Sequence, residues 1–203
     1  MKSLWQKQPN LNKFELISKK VINLDKLIKK WHIFGAIFIM LLGSVMHFLF
    51  QWTGSWAPVG AIAAVNESVW EHLKLAYWPL MFYSLIEYWY VKDKANNYLI
   101  AKFIAAYSIP LMTVVFFYSY TTLLGIESLA ADIISFFIFI IIGQYFSYII
   151  MKREPISKKF SAIALIAIIL LGILFVLFTY LPPLIPLFQD GETGLYGIVE
   201  HLH

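Results

Sequence analysis

Five long apolar stretches, separated by short polar connections, dominate the pattern of hydrophobic and polar positions along this chain. They cover residues 32–52, 66–91, 97–120, 130–151 and 160–181. Each reaches the roughly 20 residues that a helix needs to cross the hydrocarbon core of a bilayer. Pro79 and Pro110 predict kinks in the second and third stretches. The pattern predicts an all-α fold, an integral membrane bundle of about five transmembrane helices over residues 32–181.

Residues 1–31 follow a different pattern, in which lysines surround a single apolar stripe. The stripe recurs at spacings of three and four and consists of Phe14, Ile17, Val21, Leu24, Ile28 and Trp31. This pattern is typical of an amphipathic helix that lies on an anionic membrane surface. We therefore predict an N-terminal amphipathic interfacial helix, with a solvated, partly frayed leader as the alternative.

The composition agrees with a membrane protein and narrows its chemistry. Of 203 residues, 60% are hydrophobic and 14% are charged, against about 25% charged in an average soluble domain. The chain has no cysteine, which excludes disulfides, thiolate zinc sites and cysteine nucleophiles. Membrane lipid is the expected partner. The net charge of +4 does not indicate nucleic-acid binding, because the basic residues lie where the positive-inside rule for membrane proteins predicts them.

Lysine and arginine positions predict the orientation of the bundle. Connections around residues 92–102 and 152–159 are basic, whereas connections 53–65 and 121–129 and everything after residue 181 contain neither lysine nor arginine. Basic residues concentrate in cytoplasmic loops. We predict a multi-pass protein of the plasma membrane, with its N-terminus in the cytoplasm and its C-terminus outside. The extracytoplasmic tail, residues 182–203, is a candidate lid, because loops often carry function.

An ionisable cluster begins the second apolar stretch. Residues 66–74 read NESVWEHLK and contain two carboxylates, an imidazole and an ammonium group. Charged groups at membrane depth are costly and rarely persist without a function. His47 and Asp132 lie at the same predicted end of the bundle. We therefore expect one functional site there, open to the outer side.

The donor set of this cluster favours zinc. His47, Glu71 and His72 supply two imidazoles and a carboxylate, a set found in catalytic zinc sites that keep one position open for water. The adjacent glutamate and histidine match no established zinc signature. The sequence therefore predicts a zinc site from its ligand chemistry alone.

The remaining polar groups of the cluster have predicted roles in catalysis. Glu67 or Asp132 would act as general base, and Lys74 would stabilise developing negative charge. Glu71, three residues before Lys74, is its expected counter-ion. The predicted substrate contacts are Asn66, Ser68 and Tyr196. The leading hypothesis is a metal-dependent hydrolase that acts on a lipid-like substrate near the outer leaflet.

Three other interpretations are open. The cluster also suits a small-molecule or ion transporter, or its membrane-embedded binding subunit. Metal-free acid–base catalysis is the second. An accessory membrane subunit is the third, with Asn66 as the N-cap of an ordinary helix and Glu67 at the positive end of its dipole.

Polar groups are scarce toward the predicted inner side, which disfavours a transport path. Glu87 and Gln144 are the only candidates deep in the apolar stretches. We expect Glu87 to extend toward Lys92 and Lys94 at the inner interface. His32 follows two lysines, and we expect it to be an interfacial anchor.

The sequence resembles a known family in two places. Residues 65–74, VNESVWEHLK, resemble the signature of a family of uncharacterised bacterial multi-pass membrane proteins, a domain of unknown function. Residues 186–188, Asp190 and residues 193–197 are similar to its C-terminal motif. The resemblance covers most of residues 32–198. It implies a membrane protein and supplies no activity.

A looser similarity connects the chain to membrane hydrolases of the alkaline ceramidase and adiponectin-receptor type. Those proteins hold zinc with histidines and an aspartate in a seven-helix bundle and act on lipid amides. This chain departs from them in its five predicted spans, in its histidine order and in lacking a His-x-x-x-His pair in its last helix. The similarity is an analogy of chemistry and not of fold.

Overall fold

The computed structural model describes residues 9–198, with side chains from Glu15 onward. Its five α-helices are α1 Pro9–Trp52, α2 Val69–Val91, α3 Tyr98–Leu124, α4 Leu129–Lys152 and α5 Lys158–Tyr180. Two 3₁₀ helices, Ala57–Ala61 and Pro186–Phe188, lie before α2 and in the tail. The predicted all-α bundle is confirmed, and the described residues contain no β-strand. Residues 1–8 and 199–203, which include the start of the predicted leader and the terminal histidines, lie outside the described part.

The predicted leader and the first transmembrane stretch form one continuous helix. α1 runs for 44 residues, and no glycine or proline lies between Pro9 and Gly35. Nothing in the sequence therefore ends the helix where its composition changes from basic to apolar. Ile17 and Val21 are exposed in this segment, whereas Ile28 is buried. The bundle therefore begins within the predicted leader.

Serine residues are the N-caps of three helices. Ser68, Ser128 and Ser157 each accept a hydrogen bond from a backbone N–H of the first turn, which satisfies a donor that the helix leaves free. The expectation that Asn66 caps α2 is wrong, because Ser68 Oγ accepts from Glu71 N at 3.3 Å. The side chain of Asn66 has other partners, and α2 begins two residues later than predicted.

α2 is the central helix of the bundle. It packs against α1, α3 and α5, and α4 closes the other side against α1 and α3. The main core lies around α2 and includes Ile39, Leu80, Ile109, Ile140 and Phe175. Short connections alternate the helix directions, so that the end of α1 and the start of α2 lie at one end of the bundle. We call this end the His47 end, and the opposite end the Glu87 end.

Four helices are long and apolar enough to cross a membrane: α1, α3, α4 and α5. Their outer faces carry exposed apolar side chains such as Leu111, Ile166 and Ile173, which a bilayer would cover. α2 differs because its buried residues include Glu71, Lys74 and Glu87. The molecule is therefore a membrane protein in which apolar helices surround a more polar central one.

Gly43 sets the close approach of α1 to α2. A Cβ atom at this position would lie 2.3 Å from the backbone oxygen of Leu75 and 3.0 Å from the ring of Phe136. Backbone atoms cannot move aside as a side chain can. Any larger residue at position 43 therefore forces the two helices apart.

We predict that Gly43→Ala destabilises the protein by about 1–3 kcal/mol, the usual cost of overpacking. The control is Ser44→Ala on the exposed side of the same helix, which should change stability by less than about 0.5 kcal/mol. Unfolding of the detergent-solubilised protein, followed by tryptophan fluorescence, measures both variants. Equal stability of the two variants would contradict the packing described here.

Candidate functional site

The tail returns to the His47 end and fixes the residues that precede α2. The side chain of Asn66 donates a hydrogen bond to Gly197 O at 2.7 Å, and its oxygen accepts from Ser68 N at 2.9 Å. The backbone N–H of Glu67 donates to Asp190 Oδ1 at 2.7 Å. Asp190 is buried and also accepts from Thr193 N at 2.8 Å. These bonds hold the backbone of Glu67 in one position at the entrance of α2.

The side chain of Glu67 lies between two histidines from different helices. Glu67 Oε1 is 3.7 Å from His47 Nε2 of α1, and Glu67 Oε2 is 3.2 Å from His72 Nε2 of α2. The two imidazole rings have centroids 5.2 Å apart. Each residue contributes one ligand atom to a group in which all three atoms lie within 4.8 Å of one another. His47 and His72, which are far apart in the sequence, therefore lie side by side next to Glu67.

The hydrogen bonds of His72 define what its ring can bind. Its Nδ1 lies 2.8 Å from the backbone oxygen of Ser68, so Nδ1 carries a proton and donates it. The other nitrogen, Nε2, faces a carboxylate oxygen of Glu67. Without a metal, a second proton on Nε2 makes this contact attractive. A metal ion would replace that proton, which is the usual exchange when imidazole becomes a ligand.

The carboxylate of Glu67 stays ionised in these surroundings. The hydrogen bond from His72 is the main cause that lowers the pKa of Glu67 below its ordinary value, and partial burial opposes it. An ionised carboxylate and two imidazoles form a donor set of catalytic zinc sites. Tetrahedral zinc holds its ligand atoms about 3.4 Å apart. Shifts of about 1 Å in the three side-chain ligand atoms would therefore bring them to zinc-binding distances.

The site is reachable from outside the bundle. The side chains of His47, Glu67 and His72 keep 25%, 36% and 36% of their exposure. Nδ1 of His47 is buried without a hydrogen-bond partner in the described structure. Metal-bound histidines usually donate their second nitrogen to a neighbour, so this ring is held less firmly than that of His72.

Glu71 and Lys74 form a separate, buried ion pair behind the site. Lys74 Nζ lies 2.5 Å from Glu71 Oε2, and the two side chains are 0% and 2% exposed. Lys74 also donates to Gly60 O and to Thr179 Oγ1, each at 2.7 Å. Thr179 donates to Glu71 Oε1 at 2.8 Å, and Val65 N donates to Glu71 Oε2 at 3.0 Å. Every polar atom of the pair thus has a partner within the protein.

Glu67, and not Glu71, is the glutamate that lies beside the two histidines. Glu71, predicted as a metal ligand, uses both oxygens in the buried ion pair. Glu67, predicted as a base, lies where the metal ligand was expected. The pairing of Glu71 with Lys74 was predicted and is confirmed. Lys74 is enclosed by its three partners and faces the α5 side of α2, away from His72.

The other predicted site residues occupy different surroundings. Asp132 accepts a hydrogen bond from Tyr120 at 2.9 Å beside the α3–α4 connection. Ser68 is an N-cap and Asn66 binds the tail. Tyr196 is half-buried in the tail and packs against the main core. Their predicted roles in binding substrate or moving a proton stay predictions.

Sequence reasoning missed three residues at the Glu87 end. His32 is 5% exposed, Glu87 0% and Lys102 2%, and Lys102 forms an ion pair with Glu87. The interpretation of His32 as an interfacial anchor is wrong, as is the extension of Glu87 toward Lys92 and Lys94. The signal was available in the sequence, because Lys102 lies inside an apolar stretch and needs a counter-ion.

Fold and site together define an α-helical membrane protein with a histidine–glutamate cluster at one end of its bundle. The chain belongs to DUF6512, a family of unknown function, whose model matches residues 20–198. This confirms the resemblance to an uncharacterised family, whereas the likeness to alkaline ceramidases stays an analogy. No curated protein and no solved structure matches the chain.

We predict that breaking the buried ion pair destabilises the protein far more than removing it. Glu71→Gln or Lys74→Met alone should cost about 3–5 kcal/mol, because each leaves a buried charge without its partner. The double variant should recover most of this loss. Unfolding in detergent measures the three variants as a double-mutant cycle.

The matched control is the exposed ion pair between Lys152 and Asp25, whose side chains are 44% and 37% exposed. Lys152→Met should change stability little, because water screens exposed pairs. Additive losses in the Glu71–Lys74 cycle would show that the two charges are not coupled.

Proposed function

We propose that this protein is a metal-dependent membrane hydrolase whose metal, best matched by zinc, is bound by His47, Glu67 and His72. The observation that carries the proposal is the convergence within 4.8 Å of two imidazoles, from α1 and α2, and a carboxylate from the connection before α2. Three protein ligands leave a fourth position for water, as catalytic zinc sites require. The partial exposure of the three side chains would let a substrate reach that position.

The chemistry would need few further groups. A zinc ion lowers the pKa of its bound water to about 7, which supplies a nucleophile near neutral pH. The oxygen of Glu67 that does not bind the metal can accept the proton of that water. Neither Lys74 nor Asp132 is required, because the metal itself would stabilise the developing negative charge.

A lipid-like substrate is supported by the surroundings of His47. Its ring packs against Phe48 at 4.7 Å between centroids, and Phe48 stacks on Trp52. Phe48, Trp52 and Trp56 are 47%, 67% and 63% exposed. Exposed tryptophans at the end of a membrane helix are typical of the interface between headgroups and acyl chains. A lipid ester or amide has its cleavable bond at that depth.

The topology we propose has five crossings, with the His47 end and the tail outside and the N-terminus in the cytoplasm. α2 crosses between α1, α3 and α5, with its charged side chains Glu71, Lys74 and Glu87 buried and Leu85 and Trp89 exposed on its outer face. The basic residues of the connections after α2 and α4 support this orientation. The plasma membrane is the membrane we propose for it.

We expect the purified wild-type protein to contain about one zinc ion per chain, as a single three-ligand site would. His47→Ala, His72→Ala and Glu67→Gln should each lose the ion, because each removes one of three ligands. Inductively coupled plasma mass spectrometry of detergent-purified protein measures the metal. The control is Asp132→Asn, which changes another predicted site carboxylate and should keep the ion.

The hydrolase is tested on the same proteins in liposomes that contain fluorogenic lipid esters and amides. The wild type should release product, and removal of the metal by a chelator should abolish the release until zinc is restored. Metal-free wild type that is correctly folded would end the metal proposal. Stoichiometric zinc without any hydrolysis across the panel would end the hydrolase and leave a metal-binding protein.

The absence of cysteine allows the orientation to be tested directly. We predict that Ser55→Cys reacts with a membrane-impermeant maleimide in intact cells, because residue 55 is exposed before α2. Lys94→Cys, exposed in the connection after α2, should react only after the cells are permeabilised. The reverse labelling pattern would invert the proposed topology.

A further inference from the structure

A second polar cluster lies at the Glu87 end of the bundle, and four helices contribute to it. Its members are His32 of α1, Glu87 and the backbone oxygen of Ser84 of α2, Tyr98 and Lys102 of α3, and Ser147 of α4, with Gln144 one turn before Ser147. We call it the inner centre. It shares no residue with the His47–Glu67–His72 site.

One carboxylate lies between two bases in the inner centre. Glu87 Oε2 pairs with Lys102 Nζ and accepts from Tyr98 OH at 3.3 Å. Glu87 Oε1 lies 3.8 Å from His32 Nδ1. Lys102 already supplies the positive charge that neutralises Glu87. The ion pair therefore does not require a charged His32, and protonation of the His32 ring is a separate event.

The inner centre is enclosed on both sides by apolar side chains. Ile28, Val91, Ala101 and Met151 form a small core next to it, toward the helix ends. The main core around Leu80 and Ile140 closes the other side. Bulk water therefore does not reach these charges along the bundle axis.

Several polar atoms of the inner centre are nevertheless unsatisfied. Among the residues that the structure describes, neither Nε2 nor Oε1 of the buried Gln144 has a hydrogen-bond partner. The same holds for Glu87 Oε1 and, apart from the ion pair itself, for Lys102 Nζ. Gln144 is 2% exposed and lies on the same face of α4 as Ser147, one turn away. Buried polar groups without partners are costly and rare. These atoms include both hydrogen-bond donors and acceptors, which an internal water molecule requires as partners.

We propose that the inner centre is a second binding site, one that holds water at the unpartnered polar atoms of Gln144, Glu87 and Lys102 and takes up a proton at His32 Nε2. His32 Nδ1 donates to Ile28 O at 2.8 Å, so Nε2 is the nitrogen that remains to be protonated. Nε2 lies 3.1 Å from Ser147 Oγ. A hydroxyl can donate to the neutral ring or accept from the protonated one by rotation.

The groups that face His32 decide the charge that the inner centre tolerates. Glu87 favours the added proton from α2, and Lys102 opposes it from α3. α4 supplies Ser147 and Gln144, which are uncharged. The ring of Tyr148 stands edge-on to His32 at 5.8 Å, and its hydroxyl donates to Asp25 outside the inner centre. Glu87 and Lys102 neutralise each other, so one proton on His32 changes the net charge of the inner centre from zero to +1.

The test is nuclear magnetic resonance of the full-length protein with ¹⁵N-labelled histidine in detergent micelles. His32→Gln identifies the His32 signal among the five histidines. We expect a neutral ring protonated at Nδ1 that becomes doubly protonated on acidification and returns on neutralisation. Glu87→Gln should require a proton concentration at least about tenfold higher for this change, and Lys102→Met one at least about tenfold lower. A wild-type signal that keeps one form while the protein stays folded would overturn the proton site.

A stability measurement tests the bound water independently of the charged variants. If Gln144 is hydrated, Gln144→Leu deprives the water of two partners, and the melting temperature should fall. If the inner centre is dry, the same change removes an unsatisfied amide and should raise the melting temperature. The control is Ile140→Leu, one turn away on the same face and buried among apolar side chains. A rise in Gln144→Leu beyond the control would overturn the hydrated site.

Discussion

The ion pair of Glu71 and Lys74 is the constraint on which the His47 end depends. Two full charges inside a membrane bundle are costly, and saturated hydrogen bonding lowers that cost. Here the partners come from two elements besides α2. Gly60 and Val65 belong to the connection before α2, and Thr179 belongs to α5. The requirement to satisfy this pair fixes how α2 enters the bundle. Glu67 and His72 flank Glu71 in the sequence, so the placement of Glu71 also determines where these two residues lie.

The tail adds a second constraint that acts on the backbone instead of on side-chain charge. Asp190 accepts from the N–H of Glu67, and Asn66 binds the carbonyl of Gly197. A residue just outside a helix would otherwise be free to turn its side chain away. With its backbone held from the tail, Glu67 keeps its carboxylate between His47 and His72. Residues far apart in sequence thus cooperate to position one carboxylate.

The sequence predicted the helices well because length and apolarity decide membrane spans locally, whereas the structure places the two glutamates differently from the prediction. With Asn66 as the predicted N-cap, both Glu67 and Glu71 belonged to the second helix. Because Ser68 is the actual N-cap, Glu67 lies before the helix and points elsewhere. The sequence showed that Lys102 needs a counter-ion, but it did not identify Glu87 as that counter-ion, since lysines in nearby connections were equally good partners for Glu87. Only the packing of α2 against α3 distinguishes them.

The degree of hydrogen-bond saturation separates a structural polar cluster from a functional one. The Glu71–Lys74 pair is satisfied entirely by the chain, so nothing further needs to bind there, and it serves the fold. The inner centre contains orphan atoms on Gln144 and Glu87, and the His47–Glu67–His72 group leaves a buried nitrogen unpaired. Burying a polar atom without a hydrogen bond in a dry membrane interior costs a large amount of free energy. Because α2 carries members of all three groups, it joins one saturated ion pair to two clusters whose buried polar atoms lack partners in the described structure.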